Sequence, residues 1–382
     1  MRTLDSLGDI EGKRVLVRVD FNVPVHEGKV RDDARMRRAI PTLEELRNRG
    51  AKLLLVSHFG RPKDSEPEFS LAPVAKRSSE LLDTDVPLAE DLDDIPDADV
   101  VMLENIRFHA GETKNDPEFA KRLAGLADFY VNDAFGASHR AHASTEGIAS
   151  HVEHSAAGLL FQSEVDTLRK IMHEPKRPFL AIMGGAKVTD KIGVIEAFLE
   201  LADTILIGGA MTTPFLRALG HSIGDSLCED DGVEPARRAL EHDNYPNGKL
   251  ILPEDLVISD RLGEDAHVQL LNGVDVPDGW MQLDIGSLAR TKYVAEIRKA
   301  ETIFWNGPIG AYEFKAFAAG SLAIAQAMAA HEGTTVVGGG DSGAAMREFG
   351  LGNSVTHLST GGGASLKLIE GAPLPGLDAL TD

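Results

Sequence analysis

Short apolar runs alternate along the whole chain with longer segments whose apolar residues recur at helical spacing. In the first half, residues 13–20 (KRVLVRVD), 52–60 (KLLLVSHFG), 99–109 (DVVMLENIRFH) and 128–136 (DFYVNDAFG) read as strands with their exit loops. Helical periodicity follows Asp33 through Met36, Ile40, Leu43 and Leu46 and stops at Gly50, with Pro41 expected to kink or split it. Further helices are expected at 71–82 and 117–126, whereas 137–154 is polar, His-rich and without a period. A helical pattern around Gly158–Met172 leads to the second half. There, 179–183, 204–210, 249–259, 302–308 and 334–340 read as strands, and 288–299, 315–330 and about 363–370 as helices. Alternating β and α segments with β-branched strands predict an α/β protein of parallel sheets covered on both faces. Two such series make two doubly wound, Rossmann-like lobes, with the boundary at 155–175 in a helical linker. The Pro/Gly-broken tail keeps spaced leucines and is expected to pack on the body.

Length agrees with two domains, since 382 residues exceed one ordinary core. The formal charge of −21 repels nucleic acid and anionic membranes, so neither is an expected partner. It also makes any local basic cluster informative. No apolar stretch is long enough for a membrane span, the first residues lack an apolar signal-peptide core, and there is one cysteine, Cys228. These features suit a cytoplasmic protein.

Ligands of open α/β sheets bind beyond the carboxyl ends of the strands, and the unusual residues fall there. The first half places Asp20, Asn22, His58, Arg61, Arg107, Asp133 and Arg140 at such ends, with Arg18 inside a strand and Arg35 at a helix start. Guanidinium forks match carboxylate and phosphate oxygens in pairs, so these arginines with His58 suit a small polyanion. Each alone reads more readily as a surface or structural arginine, Arg18 most of all, and it is five in corresponding places that point to a site. The second half ends its strands in glycines: Gly184/Gly185, Gly208/Gly209, Asn306/Gly307, Gly338–Asp341, and Gly361–Gly363 before the last helix. In 179–191 (FLAIMGGAKVTDK), Lys187 and Lys191 stand at i,i+4 with Asp190 beside the second. The spacing predicts two ammonium groups on one face of a helix's first turn, where a polyphosphate would offset their clash with the helix dipole. Asp341 suits either a magnesium on nucleotide phosphates or a plain N-cap. Gly338, Gly340 and Gly343 make a formal G-x-G-x-x-G without the acidic residue that ribose recognition needs; no G-x-x-x-x-G-K-[ST] occurs. His139, His142, His151 and His154 lie near no cysteine and are not expected to hold a metal. Glu104 and Asp133 are a conceivable carboxylate pair.

RVDFNVP (18–24), SHFGRP (57–62), LENIRFH (103–109), NDAFGASHRAH (132–142), GGAKVTDK (184–191), WNGP (305–308), GGGD (338–341) and STGGGASL (359–366) together resemble the phosphoglycerate kinases, in the order of that family and over nearly the whole chain. The resemblance implies reversible phosphoryl transfer from 1,3-bisphosphoglycerate to ADP, giving 3-phosphoglycerate and ATP with Mg2+, in a monomer whose lobes close. It implies lobes of residues 1–155 plus 371–382 for phosphoglycerate and 156–370 for nucleotide. Asp20, Phe21, Asn22, Arg35, His58, Phe59, Gly60, Arg61, Arg107 and Arg140 would hold phosphoglycerate. Gly185, Ala186, Lys191, Gly208, Gly209, Asn306, Pro308, Glu313, Gly339, Gly340, Asp341 and Ser342 would hold the nucleotide, with Asp341 on the metal. Arg35, Lys187, Lys191 and the N–H groups at Gly362 would act on the transferring group. Three positions depart from the family pattern: Ala210 replaces a usual glycine, Ser342 a threonine and Lys367 an acid. A dinucleotide-dependent dehydrogenase and a non-catalytic two-lobed binding protein are the rival readings.

Overall fold

The computed structural model describes every residue except Val188, Asp190 and Asp382. Asp190, which the sequence sets beside Lys191, therefore lies outside the described residues. The chain forms two compact units, Met1–Asp166 with Ala372–Asp382, and Thr167–Gly371. The division falls inside one helix, Leu159–His173.

The first unit is built on a six-stranded sheet in the order Leu88–Ala89, Val100–Leu103, Lys52–Val56, Arg14–Arg18, Phe129–Asn132, Ser155–Ala157. Every pair in it is parallel. The strands are short apolar runs because both faces are covered: Val100–Leu103 and Phe129–Asn132 are buried throughout. Helix Ala34–Asn48 runs unbroken through Pro41, whose ring is exposed, and buries Met36, Ala39, Leu43 and Leu46 against the sheet's core. The expected split is absent. Helix Pro117–Ala124 starts with Asp116 accepting from the Phe119 N–H and with proline in the first turn, where its missing N–H costs nothing.

The second unit repeats the plan with Leu250–Ile251, Thr204–Ile207, Phe179–Met183, Thr302–Asn306, Thr334–Gly338 and His357–Leu358, again all parallel. Residues 249–259 do not form one strand. Leu250–Ile251 joins the parallel sheet, while Leu256–Ser259 leads an antiparallel sheet with Val268–Leu271 and Met281–Ile285. Pro253 stands between the two pieces, where it cannot donate to a ladder.

Each central strand is a switch point. From Arg14–Arg18 the chain passes to Lys52–Val56, out to the edge strand Leu88–Ala89 and back to Val100–Leu103, then crosses to Phe129–Asn132 on the other side. From Phe179–Met183 it goes out through Thr204–Ile207 and Leu250–Ile251 before crossing to Thr302–Asn306. Each unit thus opens one crevice where its strand order reverses.

Candidate functional site

In the first unit the crevice is cationic. A cleft of about 500 Å3 is lined by Arg61, Lys63, Arg107, Lys114, Arg140 and His142, with no carboxylate among its lining residues. Lys63 and Lys114 were not singled out in the sequence. Lys63 lies in the Arg61 loop, but nothing local marks Lys114. Asn105, buried at the end of Val100–Leu103, shapes the entrance. Its Oδ1 accepts from the Phe59 and Arg107 N–H groups, and its Nδ2 donates to the Phe59 and Phe69 carbonyls. Arg107 Nη1 donates to the Gly60 carbonyl, and Gly60 N–H to Asn22 Oδ1 at 3.0 Å. Gly60 has φ +59, and a methyl there would collide with the Phe69 ring. Phe21 is buried and its N–H donates to Ser57 Oγ.

Arg35, second residue of its helix, donates to Asp20 Oδ2 at 3.1 Å and to the Asn22 carbonyl. Arg18 is a structural arginine, 1% exposed. It donates to Ser144 Oγ, to the Val19 carbonyl and to His58 Nδ1. With Nδ1 accepting, the proton of a neutral His58 sits on Nε2. Burial, then the positive charges of Arg18, Arg107 and Arg140, holds the His58 pKa well below the ordinary value, so it brings a donor and no charge. His142 is pushed down to about 4, chiefly by burial and then by Arg107 and Arg18. Arg107 is lowered to about 10 by burial and by Arg140, and remains a cation at neutral pH. Beneath these arginines lies fully buried Glu112, whose two oxygens accept from the Ser144 N–H and Oγ–H. Among the described residues, Asp20 Oδ1 and Arg107 Nε are buried without a hydrogen-bond partner. A native protein seldom leaves such atoms unpaired without a use; an acceptor and a donor here suit a hydroxyl and an anion.

Glu104 and Asp133 are not a pair. Glu104 accepts from Ser70 Oγ and from the Leu71 and Asn105 N–H groups, whereas Asp133 Oδ1 accepts from the Phe161 N–H in the first turn of helix Leu159–His173. Burial pushes the Asp133 carboxyl up to about 7, its hydrogen bonds only partly offsetting this. A carboxyl raised on folding binds more protons folded than unfolded between about pH 4 and 7, so its contribution to stability falls as pH rises through that window. Asp133→Asn is expected to remove this slope: urea midpoints should match wild type near pH 4 and exceed it increasingly up to pH 8. The reverse order would show that the carboxylate's bonds outweigh its burial.

In the second unit, the crevice between Phe179–Met183 and Thr302–Asn306 is held by backbone. The Gly184 N–H donates to the Asn306 carbonyl, the Gly185 N–H to Pro308 and the Gly209 N–H to Ile309. Lys191 Nζ folds back to the Gly184 carbonyl at 2.6 Å. A methyl at Gly185 or Gly307 would fall within 3 Å of that ammonium, and both glycines have positive φ. Gly185 leaves room for the lysine, whereas a methyl at Gly307 would strike the Gly184 carbonyl first. Gly208 and Gly209 are required by packing as well, since a methyl at either would strike Ile309 or the Pro308 carbonyl. The lysine expectation needs correcting. The helix begins at Ile192, with Lys191 as its N-cap and Lys187 in the exposed segment before it, so the two do not share a helix face. Gly184 and Gly185 turn the chain away from the strand, and Lys191 precedes the first helical residue.

Ala186 and Glu313 are exposed, and Ala210 sits half-buried in the turn Gly209–Met211. Asn306 and Ser342 are buried; Ser342 Oγ accepts from the Gly307 N–H at 2.6 Å and so braces the turn carrying Pro308. Gly339 is the positive-φ cap of helix Gly340–Glu348, and Gly340 and Asp341 are exposed in its first turn. The G-x-G-x-x-G therefore has a strand before it and a helix after it. Its strand, Thr334–Gly338, lies one place out from the switch point, whereas a dinucleotide fingerprint belongs to the first βα turn. Gly362, at φ +51 with open space where a side chain would stand, caps Gly363–Ile369. No group of three or more metal-ligating side chains occurs among the described residues. One exposed Asp341 carboxylate fits a magnesium that arrives on phosphates and keeps most of its water.

The fold and sites define a two-lobed α/β protein with a guanidinium-lined cationic crevice in one unit and a glycine-lysine crevice in the other. Residues 4–372 match the phosphoglycerate kinase family model. The chain is 48% identical to the cytosolic phosphoglycerate kinase of Nicotiana tabacum, over 98% of this chain and 96% of that one, and 46% identical to the phosphoglycerate kinase of Clostridium botulinum, over 98% and 97%. Among solved structures, phosphoglycerate kinase from Coxiella burnetii superposes with a TM-score of 0.87 at 40% identity, covering 98% of this chain and 97% of that chain. That of Pyrococcus horikoshii gives 0.87 at 30% identity, over 100% and 98%. The chain belongs to the phosphoglycerate kinase family.

Proposed function

We propose that the chain transfers a phosphoryl group reversibly from 1,3-bisphosphoglycerate to ADP, giving 3-phosphoglycerate and ATP, as a monomer in the cytoplasm. The observation that carries this reading is the carboxylate-free cationic cleft of the first unit inside a chain of net charge −21, with Arg107 on its wall and Asp20 outside its lining, Arg107 Nε and Asp20 Oδ1 each lacking a hydrogen-bond partner among the described residues. A phosphorylated hydroxy acid supplies what these atoms lack. Arg61, Arg107 and Arg140 take its phosphate, Asp20 accepts from its hydroxyl, and His58 donates from Nε2 without adding charge. Asn22, Phe21, Phe59 and Gly60 shape the entrance.

In the second unit, Gly185, Ala186, Gly208, Gly209, Asn306, Pro308 and Glu313 bind the nucleoside, and Lys191 with the Gly339–Ser342 turn faces its phosphates. Asp341 would hold magnesium, which when bound would neutralise charge on those phosphates. Phosphoryl transfer asks for in-line placement and neutralised charge rather than a strong base, and an acyl phosphate is already a good donor. Arg35, Lys187 and the N–H groups at Gly362 neutralise the group in flight. With the two ligand sites on separate units, transfer requires the units to close, which excludes water. Solution scattering with both substrates is expected to show a smaller radius of gyration than with either alone; no change would argue against closure. The reading itself is tested by 3-phosphoglycerate-dependent ATP consumption with and without magnesium, at low and molar salt. Turnover needing both supports it. Folded protein that binds nucleotide yet never turns over would favour a binding protein.

A further inference from the structure

Helix Asp230–Asp243 starts in an unusual way. Its N-cap is Glu229, a residue type not favoured there, and the Glu229 side chain makes no capping bond to its own helix. It reaches instead to the lysine loop, forty positions earlier in the chain. Oε2 accepts from the Thr189 N–H at 3.1 Å and from Thr189 Oγ1 at 2.9 Å. Both side chains are half-buried. Thr189 lies midway between Lys187 and Lys191 in sequence, and the segment is also tied at both ends. Gly184 and Gly185 are tied to Asn306 and Pro308, and the Lys191 carbonyl accepts from the Ile195 N–H in the helix. One carboxylate oxygen thus takes two donors from a single residue at the middle of the loop that presents both ammonium groups. Charge-assisted bonds of this kind are stronger than neutral ones and fix position as well as energy.

We propose that Glu229 is a positioning residue, which docks Thr189 and so holds Lys187 where a transferring phosphoryl group needs it. The proposal rests on the phosphate-handling assignment of this loop. Lys191 has its own anchor at Gly184, so nucleotide affinity is expected to depend little on Glu229. Lys187 stands two residues from Thr189, so its placement is expected to follow the Glu229 contact, and errors of about 1 Å cost on the order of 10²-fold in rate. The carboxylate acts as an acceptor here, so glutamine, which keeps one acceptor oxygen, should do most of its work. Because Glu229 does not cap its helix, truncation should leave global stability nearly unchanged.

The test compares Glu229→Ala, Glu229→Gln, Thr189→Val and the Ala/Val double variant in the full-length protein. Expected are a kcat about tenfold lower in Glu229→Ala with ATP KM within about twofold, and at least half of wild-type kcat in Glu229→Gln. The double variant should lose less than the product of the single losses, and Tm should be unchanged throughout. Wild-type kcat in Glu229→Ala would overturn the proposal, as would equal losses in Ala and Gln or a kcat loss matched by a fall in Tm. Amide exchange at Thr189 separates this from failure of the activity reading. Exchange should be about tenfold faster in Glu229→Ala whether or not the wild type turns over, and unchanged exchange would remove the contact itself.

Discussion

Arg35→Ala is expected to lower kcat by roughly 10³-fold or more while KM for 3-phosphoglycerate changes far less, and Lys187→Ala to behave alike. Arg35 is held by Asp20 Oδ2 and the Asn22 carbonyl on one edge of its guanidinium, at the end of a rigid helix. Its charge is thus aimed before substrate arrives. Cations placed on a group whose charge is redistributed in the transition state act on kcat, whereas those on a spectator phosphate act on KM. Arg61 and Arg140 line the anion cleft and serve as the contrast: their removal should appear mainly in KM. The Arg35–Asp20 pair is partly exposed, so its loss should cost about 1 kcal/mol of stability or less, and folded variants can be assayed. Near-normal kcat in both Arg35→Ala and Lys187→Ala would remove the assignment.

The second large effect is on stability. Glu112→Ala is expected to destabilise the first unit by roughly 3–5 kcal/mol, read from urea unfolding. Glu112 is fully buried, and Ser144 links it to Arg18 by donating to the carboxylate while accepting from Arg18 Nε. Burial raises the Glu112 carboxyl, and Arg18 works against that rise. With the carboxylate gone, the buried Arg18 guanidinium would face Arg107 and Arg140 uncompensated. Replacing both ends, Glu112→Leu with Arg18→Met, should recover much of the loss, because an apolar pair carries no desolvation cost. A Glu112→Ala cost below about 1 kcal/mol would show that the like charges are balanced elsewhere.

The parallel sheets were legible because their strands are buried on both faces and read as unbroken apolar runs, as in Phe179–Met183 and Thr302–Asn306. That Arg61, Arg107 and Arg140 come together at one cleft was legible because loops after the carboxyl ends of neighbouring strands converge there. The antiparallel sheet left little trace: Val268–Leu271 is short and largely exposed, so its residues do not have to alternate cleanly. Lys187 and Lys191 were misplaced for a related reason. Their i,i+4 spacing imitates a helix face, yet two glycines and Lys191's return to Gly184 make a loop. Lys114, and the thirty-two-residue link from Glu112 to Ser144, depend on tertiary approach that no local pattern encodes.

The closing segment of the first unit has a consequence for biogenesis. Arg2 donates hydrogen bonds to the other end of the chain, its N–H to the Leu380 carbonyl and its guanidinium to the Ala379 carbonyl, and the Gly376 N–H donates to the Ser138 carbonyl. Everything from Thr167 to Gly371 is translated between these partners. At ~5–20 residues per second, the ribosome delivers that insert over on the order of 10–40 s. The second unit can therefore fold on the nascent chain while the first still waits for its last strap. The fragment that emerges earliest is the one that matures last, and it is the one a chaperone would need to shelter.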